Sequence, residues 1–438
     1  MKPKHVKKLL ISEIESTAKS MCNYVNNKET DFIRNRKLPF LTIIKSIIGM
    51  ESKSLTNELI DIFPNVESLP SASAFVQQRQ KIKAEAFKAI FNGFTNKLMS
   101  EDSNDMVTLA VDGSDIQIST NYDDKSSYYP GSNGQKPYNL LHLNALYDLN
   151  KHIYADAIIQ GKRNQNEHLA LQQMVDKSNI DCALIIADRG YESYNSMAHI
   201  QEKGWFFLIR IRDGICGIKA GFELPEEPEY DVSIELNLTR KQTIETKKLF
   251  KDRNHYRALP ATTPFDYLPS KSRKSDPTRF YKLNFRLVRF EISDGIYESV
   301  VTNLDSLKYP PSKLKELYAE RWGIESSFRD LKYTIGMLNF HSKKVMCIHQ
   351  EIYAHLIMYN FAEMITSHVV IEKKQRKYTY KANFSVAAHV CRQFFQGKTT
   401  SPNLETIIAR NTIPIRTGRH RERNLTAKVF RGFLYRVA

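Results

Sequence analysis

Apolar and polar positions change rhythm several times along the chain. From about Val6 to Met99 apolar residues recur every three or four positions, the spacing of a helix face. Leu41, Ile44, Ile47 and Ile48 form one such stripe. Ser54 to Phe63 and Ala84 to Leu98 read the same way, with Pro64 and Pro70 breaking the run. The rhythm shifts at Asp105. Met106 to Val111 is a nearly continuous apolar run, as in a buried strand. Leu141 to Tyr147 and His152 to Ile159 predict two more strands, and Cys182 to Ala187 and Trp205 to Arg210 another two. Helices are expected over Asn166 to Lys177 and Ser193 to Glu202. This succession makes an α/β sheet. From Asp213 to about Asp305 strand-like alternation returns in Lys282 to Phe290 and Tyr297 to Thr302, around a turn at Asp294-Gly295. Pro310-Pro311 then closes an extended stretch. Ser312 is placed to cap a helix reaching about Ile335, and another helix follows from Ile348 to Thr366.

Charge adds a partner class. Lysine and arginine total 64 against 48 acidic residues, a formal net charge of +16, which draws a protein toward polyanions, nucleic acid first. From Arg240 to Lys282 twelve basic residues face four acidic ones. Arg34, Arg36 and Lys37 precede one helix and Arg79, Lys81 and Lys83 another, as a DNA-binding helical domain or a solvated basic face would have them. The C-terminal run Arg416 to Arg423 is equally basic. No apolar run approaches the ~20 residues needed to span a bilayer; Asn360, Glu363 and His368 interrupt the best candidate, His355 to Val370. Five scattered cysteines without a CxxC fit a reducing cytoplasm better than a zinc site or disulfide scaffold.

Three carboxylates stand out. Asp112 in Val-Asp-Gly-Ser and Asp188 in Ala-Asp-Arg-Gly-Tyr each follow a buried strand, where α/β sheets place ligand sites, although either also suits a turn or cap. The third lies in the Leu317 to Lys332 segment. At about 100° per residue, Tyr318, Arg321, Glu325 and Lys332 fall within an arc of about 60° on one helix face. An Arg321–Glu325 surface pair explains two of these four, but neither Tyr318 nor Lys332. Asp, Asp and Glu together are the hard oxygen donors that Mg²⁺ or Mn²⁺ requires, and two such ions about 4 Å apart serve phosphoryl transfer.

The Tyr318-x2-Arg321-x3-Glu325-x6-Lys332 spacing is the YREK signature. With the two aspartate motifs in the same order, and Gln350 to Phe361 after them, the chain resembles bacterial insertion-sequence transposases of the DDE type, the insertion sequence 4 family. The resemblance spans roughly Met106 to Phe361. It implies an RNase H-like α/β core over residues 105–212 and 306–370, interrupted by a β-rich insertion at 213–305. A helical N-terminal domain (1–104) and a helical, basic C-terminal region (371–438) flank it. It implies Asp112, Asp188 and Glu325 as catalytic metal ligands for two Mg²⁺ or Mn²⁺ ions, with Tyr318, Arg321 and Lys332 on phosphates. The implied partners are double-stranded DNA, as element ends and target, and a second copy of the chain in a cytoplasmic complex without membrane. The activity implied is binding of terminal inverted repeats, cleavage at the element ends and strand transfer. An aromatic side chain of the insertion that stacks a flipped base is a further feature of such enzymes. Tyr256, Phe265, Tyr267 and Phe280 are the candidates, while Trp322 is expected in the core. The rival readings are a non-catalytic DNA-binding derivative, a nuclease of the same fold without strand transfer, and a metal phosphatase for small substrates.

Overall fold

The structure is a computed structural model that describes residues 1–34, 37–100, 106–131, 136–213, 217–270, 276–371 and 378–415. Five helices open the chain: α1 (Pro3–Lys19), α2 (Phe40–Gly49), α3 (Leu55–Ile62), α4 (Ala72–Arg79) and α5 (Ala84–Ser100). Ser54 and Ser71 cap α3 and α4, their hydroxyls accepting from the Asn57 and Ala74 amides. Next come β1 (Val107–Ile118), β2 (Tyr128–Tyr129), β3 (Tyr138–Asp148), β4 (Ile153–Gly161), α6 (Glu167–Lys177), β5 (Ala183–Ala187), α7 (Tyr194–Glu202) and β6 (Phe206–Ile211). The following segment holds β7 (Tyr230–Thr239), α8 (Ile244–Leu249), β8 (Tyr256–Ala258), β9 (Tyr281–Ser293) and β10 (Ile296–Thr302). Helices α9 (Pro311–Glu320), α10 (Trp322–Asp330) and α11 (Val345–Thr366) lead to β11 (Tyr380–Ala382), α12 (Phe384–Phe395), α13 (Ser401–Arg410) and β12 (Thr412–Pro414).

One ten-stranded sheet organises the molecule, in the order β2-β3-β1-β5-β6-β10-β9-β7-β8, with β4 also on β3. Strand β1 runs antiparallel to β3 and parallel to β5, and β5 runs parallel to β6. The strands read as an insertion extend this sheet rather than standing apart, because β10 pairs antiparallel with β6. Period-two alternation sorts side chains to two faces. Leu109, Val111, Ile185 and Ala187 pack with Leu171 and Val175 of α6 and Met197 of α7. Ala110, Leu184 and Ile186 pack on the opposite face with Ile324 and Phe328 of α10 and with α11.

Helix α11 is buried along nearly its whole length, which accounts for apolar residues on every side of it. Gln350, Glu351 and Asn360 on it are bonded inside the protein. Asn360 accepts from the Tyr154 amide at 2.8 Å and donates to the Tyr154 carbonyl at 2.9 Å. Among the described residues no helix is long and apolar enough to cross a membrane.

Three local expectations change. Arg79 is not on a solvated basic face: it is fully buried at the end of α4, donating to Glu351 at 2.9 Å and to the Gln350 side chain on α11. Pro310, not Ser312, precedes α9, because Pro311 occupies the first turn, where a missing N–H costs nothing. The helix expected to reach Ile335 is interrupted at Arg321 and ends in a π-helical turn, Leu331–Ile335. Gly336 closes that turn at φ +102°, and a Cβ there would collide with Ser52 Oγ. Arg36 and the basic run Arg416 to Arg423 lie outside the described residues.

Candidate active site

Val111 of β1 pairs in parallel register with Ala187 of β5. The next residue on each strand is an aspartate, so Asp112 and Asp188 stand side by side, roughly one strand spacing of 4.8 Å apart along the backbone. Alternation turns both toward the face that carries α10, since Val111 and Ala187 belong to the other one. Asp112, expected to end its strand, lies in the middle of β1. There β5 ends its pairing, while β1 continues to Ile118 as an antiparallel ribbon with β3. Asp188 caps the short turn Arg189–Tyr191, accepting from the Gly190 amide at 2.8 Å. The turn-residue reading of Asp188 therefore holds.

Glu325 lies in the first turn of α10, whose buried Ile324 and Phe328 seat the helix on the sheet. Its carboxylate accepts from Arg321 Nη2 at 2.8 Å. Burial pushes the Asp112 carboxyl up to about 6; the Gly113 amide, 2.8 Å away, and Arg321 work against the shift, and the charges of Asp188 and Glu325 add to it. Asp112 therefore lies within the field of both other acids, and a divalent cation would relieve that repulsion. As donors they suit Mg²⁺ or Mn²⁺. Among the described residues no three His, Cys, Asp or Glu side chains stand in a ready-made metal cage.

The YREK positions are more enclosed than a phosphate-reading strip suggests. Tyr318 and Arg321 are both buried. Burial raises the Tyr318 phenol, against the pull of Arg321 and Arg210. The Arg321 guanidinium stands 5.9 Å from the Tyr318 ring and 5.3 Å from that of Trp322. Its buried Nε finds no acceptor among the described residues. Lys332, in the π-helical turn, donates to the Asp115 carbonyl at 2.8 Å, and burial lowers its pKa. Trp322 is not core: it is 54% exposed, because it lies about 200° around α10 from buried Ile324. Of the four aromatic residues considered for stacking, Phe265 is buried. Tyr267 packs on His199 and Tyr281, and Tyr256 meets the edge of Phe280, which is 40% exposed.

Two features near the acids escaped the sequence reading. Tyr191, fully buried three residues after Asp188, has no hydrogen-bond partner for its hydroxyl, and burial raises its pKa, as do the Glu167, Asp112 and Asp188 charges. On the opposite sheet face His142 stands 2.6 Å from Asp115 and 2.9 Å from Glu167, and Lys162 reaches Asp115 at 2.8 Å. A Cβ at Gly113 would come within 2.3 Å of His142 Nε2, so any larger residue after Asp112 would force the His142 ring to move. The signal was a histidine within the largely apolar run Leu141 to Tyr147, with Asp115 inside the quoted Asp112 motif.

Comparison with known proteins bears on the same segment. A family model described as a transposase DDE domain matches residues 103–361, from before β1 to within α11. Transposase InsG for insertion sequence element IS4, from Escherichia coli (strain K12), is 22% identical over 342 residues, covering 75% of this chain and 70% of the relative. The cryo-EM structure of a piggyBac transposase synaptic complex with hairpin DNA is similar at a TM-score of 0.44 and 12% identity, over 93% of this chain and 84% of that one. The family match takes in all three carboxylates and the strands and helix that carry them, and the chain belongs to the transposase DDE domain family.

Proposed function

We propose that the protein binds the terminal inverted repeats of a mobile element, cleaves DNA at its ends and joins the freed ends to target DNA. The observation that carries this reading is the register of Asp112 and Asp188 on adjacent parallel strands, on the face where α10 brings Glu325. The core read as RNase H-like is the unit β4-β3-β1-β5-β6 with α6, α7, α10 and α11 on its two faces. Helices 1–104, the 213–305 strands and the 371–438 region then serve as DNA-holding surfaces around it, in keeping with the +16 charge.

Asp112, Asp188 and Glu325 would hold Mg²⁺ or Mn²⁺, two ions per site. When bound, such ions neutralise charge developing at phosphorus and acidify the attacking hydroxyl. Arg321 positions Glu325 through Nη2, and its unpartnered Nε offers a donor to a DNA phosphate. Lys332 holds the β1 backbone at Asp115, close to the path of the same strand. In the first step water displaces the 3′-oxygen at the element end. In the second that 3′-hydroxyl displaces an oxygen in target DNA. Both are in-line displacements at phosphorus, so one set of residues serves both. The two element ends call for two copies of the chain.

The test is a supercoiled plasmid carrying the element's own ends, incubated with Mg²⁺ and either the natural chain or the Asp188→Ala variant. Cleavage and joining by the natural chain alone are expected. Equal products from both would overturn the assignment of the acids, and cleavage without joining would leave a nuclease.

A further inference from the structure

Beyond the far end of β1, on the sheet edge that β2 shares with β3, tyrosines gather around one arginine. Tyr129 and Tyr138 stack at 5.2 Å with their planes only 10° apart. The Arg163 guanidinium stands 5.7 Å from the Tyr129 ring. Tyr122 and Tyr128 form a tilted pair at 5.5 Å, and Tyr122 is 67% exposed. Covering the sheet edge explains Tyr129 against Tyr138. It does not explain a phenol held out in water at Tyr122.

The loop beneath these rings is braced from inside. Fully buried Asn139 accepts from the Asn121 amide at 2.8 Å and donates to the Asn121 carbonyl at 3.1 Å and to Ser127 Oγ at 2.8 Å. Asp124 turns toward Ser126, accepting from its hydroxyl at 2.6 Å, which ties the loop together. Arg163 is fixed at both ends: its amide donates to the Ser126 carbonyl at 3.0 Å and its Nη1 to the Tyr128 carbonyl at 3.2 Å. The braced loop holds the Tyr122 ring outward, with Tyr128, Tyr129 and Tyr138 half-buried behind it, and so presents it at low entropic cost to a ligand. Lys125 and Lys136 are exposed beside it.

We infer that this surface is a stacking platform for the unpaired bases of a DNA single strand. Rings beside Arg163, Lys125 and Lys136, with Asp123 the one exposed acid of the loop, suit that ligand because every base has a π-face and every nucleotide a phosphate. That the strand belongs to a DNA substrate rests on the function proposed above. The placement suits a substrate end, since Ile118, paired with Asn139 at the platform, lies six residues along β1 from Asp112. That is about 20 Å at the rise of a strand, or roughly six nucleotides at duplex spacing. Lys162, next to Arg163, and Lys332 both bond to Asp115, midway along this path. Strand β1 therefore links Asp112 to the loop that carries the platform.

The experiment measures binding of the full chain to a short fluorescein-labelled oligo-dT at fixed salt, and to an abasic strand of equal length and charge. Stacking on aromatic side chains changes binding by roughly five- to 150-fold per base. The double variant Tyr122→Ala, Tyr129→Ala is expected to bind oligo-dT at least tenfold more weakly. The double variant Tyr122→Phe, Tyr129→Phe, which keeps the rings, is expected to match the natural chain. The abasic strand should bind the natural chain as weakly as oligo-dT binds the alanine variant. Oligo-dT affinity unchanged by alanine, equal loss in both variants, or abasic binding as tight as oligo-dT would each overturn the platform. The readout needs no cleavage, so a chain that stacks oligo-dT but never cuts or joins plasmid ends sinks the proposed function alone.

Discussion

Arg321 donates to the Glu325 carboxylate at 2.8 Å from the point where α9 gives way to α10. The guanidinium is buried, and the hydrogen bond to Glu325 keeps it charged although burial works against it. Arg321 thus restrains the acid proposed to ligate metal and keeps a second donor free for phosphate. Arg321→Ala is expected to lower strand cleavage about a hundredfold, the usual scale for losing one positioned donor to a transition-state oxygen. Mn²⁺ affinity by calorimetry should not fall, because the carboxylate is released rather than removed. Arg321→Lys should recover little, since an ammonium cannot reproduce the fork. Cleavage within twofold of the natural chain for the alanine variant would show that the donor is dispensable.

Gly113 and His142 offer a test of how Asp112 is placed. The His142 ring cannot retreat easily: it is buried between Asp115 and Glu167, whose carboxylates raise its pKa against the effect of burial. Gly113→Ala is expected to cost about 1–3 kcal/mol by overpacking and to lower cleavage by shifting Asp112. Adding His142→Ala should restore part of both losses, a coupling that urea midpoints of the four proteins in a double-mutant cycle will read. Strictly additive effects would mean that the two side chains do not meet.

The Arg79–Glu351 pair ties α4 to α11 and predicts a stability profile. Glu351→Ala leaves a buried guanidinium unpaired and should cost about 3–5 kcal/mol, whereas the paired change Arg79→Met with Glu351→Leu should cost less. Burial works against the Glu351 carboxylate, but Arg79 and His341 hold it down to about 2, from 4.5. Its contribution is therefore present above pH 4.5 and is lost as pH falls toward 2. Burial likewise opposes the His341 charge, yet Glu351 and Glu58 raise it to about 9, so its contribution is complete below 6.5 and vanishes as pH rises through 9. His355, kept neutral by burial down to about 3, loses stability as pH falls below 6.5. These three groups place the maximum near pH 6.5. His341→Gln should flatten the alkaline limb of a urea-unfolding series, and an unchanged limb would remove His341 from the account.

The strands β1, β3, β4, β5 and β6 and the helix α11 were legible because continuous apolar runs mark buried elements whatever their partners, whereas β7 (Tyr230–Thr239), with exposed polar residues along one face, was not. What stayed hidden depends on partners far along the chain. Arg79 reads as surface charge, since its acceptors lie more than 260 residues away. The continuation of β1 past Asp112 was missed because Asp115 to Ile118 alternates, as an antiparallel ribbon does, rather than running apolar. No local pattern announces that β10 joins β6, because that pairing closes across the whole 213–305 segment. The face drawn through Tyr318 and Lys332 assumed uninterrupted α-helical geometry, and the break at Arg321 and the π-helical turn at Lys332 violate it. Exposure of Trp322 follows from which side of α10 the sheet takes, which helical periodicity alone does not decide.

Asp112 should trade fold stability for metal binding. Burial raises its carboxyl from 3.8 to about 6, so in the metal-free chain the charged form is a cost that is present above pH 6 and relieved as pH falls through 6 toward 3.8. A shift of that size corresponds to at most about 3 kcal/mol at neutral pH. Asp112→Asn removes the charge while keeping the shape, so without divalent ions it should unfold at a higher temperature than the natural chain at pH 7. Mn²⁺ should reverse the order by raising the unfolding temperature of the natural chain and barely moving the variant. The Mn²⁺ effect should fade as pH drops below 6, because protons and the ion compete for the same oxygens. Calorimetric scans with and without Mn²⁺ at pH 5, 6 and 7 measure all three expectations. A variant less stable than the natural chain in the absence of metal, or one stabilised equally by Mn²⁺, would show that Asp112 carries no such cost and no such ion.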